Sequence, residues 1–335
     1  MRIMLAGSKI AAISLVVIAQ QLFSQELFPT TEPASCLAKG TIGISPIMEM
    51  HKEISILRYQ AAMRLYYGIT SKLEVYAEPV VNNHHSLFLP ANFLTHTHTA
   101  NGGLGPPVAS SVYGVPYPVL FGGVYLYSKF RLFSVDKDDR HFRAALYAEY
   151  STAKRAHDEA EPDLTGDNGG YGAGLILTRL QGRFAASFTG GFVVANSYTE
   201  TVTYPYAPYF YGNYPFTNTI VYGKAVDYNL SLGYLLSPVR YTNYYEDNYN
   251  IYLELKGSSY GAALTSVNGL VAGATSPSLK AGNYLEAWPG IQGIYNSNTR
   301  IDLSVGLALY SRSWNRFYPD YVVSWKHFFY LQHRK

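Results

Sequence analysis

Charge is scarce in this sequence. Asp, Glu, Lys and Arg make up 15% of the 335 residues, against about 25% in an ordinary soluble domain. The formal net charge is only +3, too small to argue for a nucleic-acid partner. There is one cysteine, Cys36, so no intrachain disulfide can form. Cys36 follows Glu32-Pro33-Ala34-Ser35, well past the apolar N-terminal stretch, which argues against a lipidated thiol and for a free, structurally neutral one. No apolar run reaches the ~20 residues of a spanning helix. Catalytic signatures are missing too: there is no Gly-x-Ser-x-Gly, no His-Glu-x-x-His and no phosphate loop. Gly172-Ala173-Gly174 suits close strand packing better than a dinucleotide. The expectation is therefore a protein that is not an enzyme and carries no cofactor.

Tyrosine is abundant, at 32 residues, yet mean hydropathy is −0.05. A helical membrane protein would be clearly apolar. A transmembrane barrel is not, because alternate residues of each strand face a polar interior. Tyrosine suits the membrane–water interface and packs well in strands.

The N-terminus reads as an export signal. Arg2 and Lys9 precede the apolar run at 10–19, about 10 residues, a signal-peptide length. The expected division is a signal peptide at 1–25, a periplasmic segment at 26–39 and a barrel at 40–335. Cleavage after Ala19, Ser24 or Gln25 fits equally.

Beyond it, period-2 alternation dominates. Leu120, Val124, Leu126, Phe130 and Leu132 are expected on one face, with Gly123, Tyr125, Tyr127, Lys129 and Arg131 on the other. A turn follows at 136–140. Phe142, Ala144, Leu146, Ala148 and Tyr150 then alternate with His141, Arg143, Tyr147, Glu149 and Ser151. Similar patterns recur at 57–65, 73–78, 183–192, 226–234, 251–256 and 300–309, with less regular strands at 40–48, 170–180, 283–294 and 319–331. The connections 68–71, 135–140, 181–182, 237–248 and 296–298 are mostly short. Those at 49–54, 82–117, 154–169, 196–222, 261–281 and 312–318 are often long and rich in Gly, Pro, Asn and Tyr. Short periplasmic turns and long outer loops organise outer-membrane barrels. The fold class expected is all-β: a transmembrane antiparallel up-and-down barrel of about 12 strands. A sheet in lipid must close, since an open edge leaves backbone groups unpaired. The strand lengths, about 10–13 residues, argue against a soluble sandwich, where 5–6 is usual.

The stretch Tyr67-Gly68-Ile69-Thr70-Ser71-Lys72-Leu73-Glu74-Val75 resembles outer-membrane transporter barrels of the phenol-degradation meta-pathway type. Asp138-Asp139-Arg140-His141-Phe142-Arg143-Ala144-Ala145 and Gly166-Asp167-Asn168-Gly169-Gly170 are similar to uncharacterised outer-membrane barrels of the Bacteroidota. The C-terminal stretch 323–330, rich in aromatics, resembles the signal read by barrel-assembly machinery, although residues 331–335 follow it. The resemblance implies an outer-membrane location and passage of small molecules. The partners implied are outer-membrane lipid, the assembly machinery and a small-molecule solute.

Candidate lumen-lining residues are Arg58, Arg64, Glu74, Glu78, Lys129, Arg131, Arg143, Glu149, Asp227, Glu254, Lys256, Arg300 and Asp302. Their signs are mixed, so a strongly ion-selective pore is not indicated. A constricted channel and a plugged barrel both fit a lumen of intermediate width. His84, His85, His96 and His98 share the connection 82–117, and His-x-His on an extended segment puts two imidazoles on one face, an arrangement open to a divalent transition metal. Tyr204, Tyr206, Tyr209 and Tyr211 form an aromatic loop that could bind apolar or sugar ligands, constrict the mouth or face the lipid interface. Asp158, Glu159, Glu161, Asp163 and Asp167 read as solvated loop charge, with calcium as the alternative. Three functions remain open: passage of small, hydrophobic molecules; a non-conducting surface protein that binds ligand, metal or partner through its loops; and a hydrolase at the rim.

Overall fold

The computed structural model describes residues 31–53, 56–83, 98–99, 107–109, 119–137, 139–154, 160–203, 215–240, 243, 245–272, 277–313 and 316–331. The expected signal peptide lies outside them. Twelve strands close into an antiparallel barrel: β1 Thr41–Glu53, β2 Ile56–Gly68, β3 Leu73–Asn82, β4 Leu120–Lys137, β5 Arg140–Ser151, β6 Gly170–Gln181, β7 Phe184–Ala195, β8 Ala225–Ser237, β9 Asn248–Tyr260, β10 Gly282–Tyr295, β11 Thr299–Ser311 and β12 Asp320–Tyr330. Each pairs with its neighbours in the chain, and β1 meets β12 in register from Thr41↔Tyr330 to His51↔Asp320. Closure leaves no edge strand to satisfy in lipid.

All twelve expected strands are present, as is the split between a turn end and a loop end. The turn end carries 69–72, 138–139, 182–183, 238–247 and 296–298; the loop end carries 83–119, 152–169, 196–224, 261–281 and 312–319. The turn after β10 shows why such connections stay short. Asn296 and Ser297 take φ of 49° and 57°, the left-handed pair that matches strand twist in a tight hairpin.

The exposed face is apolar. Leu57, Met63 and Leu65 on β2, Leu126 and Phe130 on β4, Phe184, Phe188 and Phe192 on β7, and Ile301, Leu303 and Leu307 on β11 all stand outside the barrel wall, unburied by protein. A belt of this kind is what a lipid-facing surface requires and what a soluble surface avoids. Alternate positions turn inward, where Arg58, Glu74, Lys129 and Glu254 are buried.

Three local expectations are corrected. The alternation of β4 reverses at a bulge opposite Val80 and Val81, where Gly123 has φ of 125°. Phe121 is consequently exposed, and Leu120 only partly so. Strands β4 and β5 run past the expected start of their turn, because Asp136 accepts bonds from Arg143 and Ser134 and contacts His141; these partners let polar, turn-like residues continue the ladder. Strand β1 extends through Glu53, so the connection expected at 49–54 shrinks to 54–55.

At the loop end, strands Tyr198–Thr203, Pro215–Val221, Leu264–Val267 and Leu270–Ala272 form a separate small sheet that joins two loops. Among the described residues no helix is long and apolar enough to cross a membrane.

Candidate functional site

The lumen is the chemically distinctive part of the molecule, and the chain before β1 runs into it. From Thr31 to Leu37 the segment before β1 lies inside the barrel. The Leu37 amide donates to Glu74 on β3 at 2.7 Å. The Ala34 amide donates to the Thr178 hydroxyl on β6 at 2.8 Å. The Thr31 amide donates to Glu254 on β9 at 2.9 Å. Arg143 on β5 donates to the Ser35 hydroxyl at 3.0 Å. In a twelve-strand barrel β3 and β9 are opposite walls. The segment therefore crosses the lumen from wall to wall, a span of about 20 Å for extended chain.

Charge explains why it stays there. The Glu32 carboxylate lies 3.1 Å from Arg64 and 3.2 Å from Lys129. Lys129 is wholly buried and is also 3.5 Å from Glu74. A buried ammonium or carboxylate is costly unless paired, and the segment supplies one of the pairing groups. Burial alone would push the Glu32 carboxyl up. Lys129, Lys326 and Arg64 outweigh it and hold the group at about 2. Cys36, the free thiol, donates to the Lys72 carbonyl at 3.3 Å, and burial pushes it up.

Beside this segment runs a ladder of inward tyrosines. Tyr76 stacks on Tyr127 at 4.7 Å, and Tyr127 on Tyr147 at 5.4 Å. Tyr66 tilts against Tyr76 at 5.1 Å. Cations cover the ladder: the Arg64 guanidinium sits 4.4 Å from the Tyr76 ring, and the Lys326 ammonium 4.7 Å from the Tyr66 ring. Tyrosine abundance by itself points to the membrane interface. Tyr66, Tyr76, Tyr125, Tyr127 and Tyr147 are instead buried in the interior, on the polar face where strand parity puts them.

The thirteen candidate lumen residues are all buried or partly buried, but they do not form one site. Arg64, Glu74, Glu78 and Lys129 gather around Glu32, with Arg64 paired to Glu78. Glu254 holds Thr31 and accepts from Ser231 at 3.1 Å. Asp302 accepts from Gln292 at 2.7 Å and from Ser324 at 3.0 Å. Lys256 lies 4.2 Å from the Trp288 ring, and Arg300 5.3 Å from the Phe328 ring. Glu149 accepts from Tyr125. Arg58 donates to the Asn83 carbonyl at 3.1 Å, Arg131 to the Ser71 carbonyl at 3.0 Å. Asp227 is partly buried on β8. Glu32 and Lys326 escaped sequence reasoning, as did the stacking of the tyrosines, although alternation already puts Tyr125, Tyr127 and Tyr147 on the face of Lys129, Arg143 and Glu149.

Described residues at the loop end are also tied to one another. Arg316 pairs with Glu161 and donates to the Tyr284 hydroxyl at 2.7 Å. Tyr318 donates to Glu286 at 2.6 Å. The Ala160 amide donates to the Ser278 carbonyl at 2.8 Å, joining two loops. The acidic loop is corrected accordingly: Glu161 is buried in an ion pair, and Asp163 bonds Thr165, so neither is solvated charge. Asp158 and Glu159 lie outside the described residues. So do His84, His85, His96, Tyr204, Tyr206, Tyr209 and Tyr211; of His98 only the backbone, in a short strand His98–Thr99, is described.

No family model matches the sequence, and no curated protein matches it. Solved structures do. The COG4313 outer membrane channel from Pseudomonas putida F1 is 11% identical, with 91% of this chain and 100% of that chain covered and a TM-score of 0.50. Outer membrane phospholipase A from Escherichia coli is 10% identical over 93% of this chain and 96% of that chain, with a TM-score of 0.34. The Ralstonia pickettii toluene transporter TbuX is 11% identical over 87% of this chain and 90% of that chain, with a TM-score of 0.32. The first likeness shows the fold: this chain is built as an outer-membrane β-barrel.

Proposed function

We propose that this protein is an outer-membrane channel for small, hydrophobic or amphipathic solutes, held shut by its own N-terminal segment. In this reading the turn end faces the periplasm and the loop end faces outward, as barrels of this organisation do. The observation that carries it is the wall-to-wall segment 31–37 lying against a ladder of stacked tyrosines. Aromatic faces with cations beside them offer a surface for apolar and aromatic solutes. A segment tied by a few polar contacts can leave without unfolding the wall. The printed description of the similar Pseudomonas putida structure, an outer membrane channel, is in keeping with this, and so is the resemblance to transporters of the meta-pathway type.

The test is single-channel conductance of the refolded mature chain in a planar bilayer, beside a variant lacking residues 31–37. The intact protein is expected to be nearly silent and the deletion to open in discrete steps. Uptake of an aromatic solute into liposomes should rise in parallel. A deletion variant that is inserted and folded yet silent would sink the channel reading. It would favour the second reading, a surface protein acting through its outer loops, with which the Glu161–Arg316 ion pair is in keeping.

A further inference from the structure

We infer that Glu49, His51 and Asp320 form a divalent transition-metal site across the seam where the barrel closes. Glu49 and His51 are two apart on β1, so their side chains share a face. Asp320 opens β12 directly opposite His51 in the ladder. One ligating atom from each of the three lies within 4.8 Å of the others. Ligands about 2.1 Å from a tetrahedral ion stand about 3.4 Å apart, so modest side-chain rotation brings the set together.

A second observation points to a ligand. The Asp320 side chain is 9% exposed, and its buried Oδ1 has no hydrogen-bond partner. His51 Nδ1 is 3.9 Å from that oxygen, too far for a hydrogen bond. Gln60, opposite Glu49 on β2, likewise keeps a buried Oε1 without a partner. Orphaned acceptors are rare in folded proteins and call for a bound ion or water. Two carboxylates this close also repel unless a proton or cation lies between them. The imidazole is already oriented, stacked on Phe317 at 5.8 Å and 11°. Arg316, Lys256 and, opposite His51 on β2, Arg58 lie around the cluster; Arg316 also pairs with Glu161, Lys256 lies on the Trp288 ring and Arg58 donates to the Asn83 carbonyl.

One imidazole nitrogen with two carboxylate oxygens suits zinc or a neighbouring first-row ion, since calcium and magnesium prefer all-oxygen sets. Three protein ligands leave a fourth position for water. An ion there would tie the first strand to the last and so staple the seam.

The experiment titrates Zn2+ into the full mature chain in detergent after chelation, using a competing chromogenic chelator, and reads the thermal unfolding midpoint of the same samples. One Zn2+ per chain is expected, with the midpoint raised. His51→Ala, Glu49→Gln and Asp320→Asn should each weaken binding about tenfold or more and abolish the shift. A variant with His84, His85, His96 and His98 all changed to Ala should keep both. Co2+ substitution should give visible ligand-field bands that His51→Ala loses. Folding of each variant is verified by its heat-modifiable gel mobility. Folded protein that binds no Zn2+, or binding unchanged in His51→Ala and Glu49→Gln, overturns the proposal.

Discussion

Glu32 and Lys129 meet at 3.2 Å inside the barrel, although 97 positions separate them in the chain. That pair joins the N-terminal segment to the wall, and it sets the first prediction. Glu32→Gln should loosen the segment, because Lys129 and Arg64 lose a charged partner; charged hydrogen bonds of this kind contribute about 1.5–3 kcal/mol. Cys36 reports it directly, being partly buried and the chain's single thiol. Maleimide labelling of Cys36 should accelerate roughly tenfold or more, since about 1.4 kcal/mol is a factor of ten. Equal labelling rates in the two proteins would show that the ion pair does not hold the segment.

Acid should release the same segment. Glu32 is held at about 2 against an ordinary value of 4.5. A depressed carboxyl contributes stability that is complete above 4.5 and is lost as the pH falls towards 2. Arg64 and Tyr66 on β2, Lys129 on β4 and Lys326 on β12 face Glu32; Glu74 and Glu78 on β3 share the same cations. Conductance should rise as the pH is lowered through that window, and Glu32→Gln should flatten most of the rise. A profile identical in both proteins would show that Glu32 does not carry the acid response.

The strands were legible in the sequence and the segment was not. Alternation such as Leu57, Met63 and Leu65 against Arg58 and Arg64 is written in neighbouring residues, and lipid outside with water or polar groups inside enforces it along every strand. Residues 31–37 have no period. Their partners lie as far as 223 positions away, and only the closed barrel brings Glu254 within reach. The bulge at Gly123 was hidden for a related reason: one extra residue reverses the faces without changing composition. The seam cluster needed closure as well, since Asp320 reaches His51 only when the first strand finds the last.

The tyrosine ladder should behave as packed wall and as solute surface. Tyr76→Ala removes a ring stacked at 4.7 Å on Tyr127 and covered by Arg64 at 4.4 Å. Truncating a buried aromatic costs about 3–5 kcal/mol, so the unfolding midpoint should fall clearly. Tyr76→Phe keeps the ring and should stay near the parent in stability. In liposomes that carry the 31–37 deletion, Tyr76→Phe should preserve uptake of an aromatic solute. Uptake unaffected by Tyr76→Ala, in protein shown to be folded, would remove the ladder from the pathway.

The apolar outer face makes the last prediction. Phe188 lies midway along β7 and is 46% exposed on the outside of the wall. Leu270, in the small sheet at the loop end, is more exposed still at 79%. Exposure alone would rank Leu270→Arg as the worse or equal substitution. A bilayer reverses that order, because an arginine near the midplane of a barrel costs about 2–4 kcal/mol while one beyond the interface costs about 0–1. Phe188→Arg should therefore lower folding efficiency into lipid vesicles, read by heat-modifiable gel mobility across a denaturant series, and Leu270→Arg should leave it close to the parent. In detergent micelles, which deform around a charge, the gap should narrow. If the two variants fold alike in vesicles, the belt around Phe188 does not face lipid.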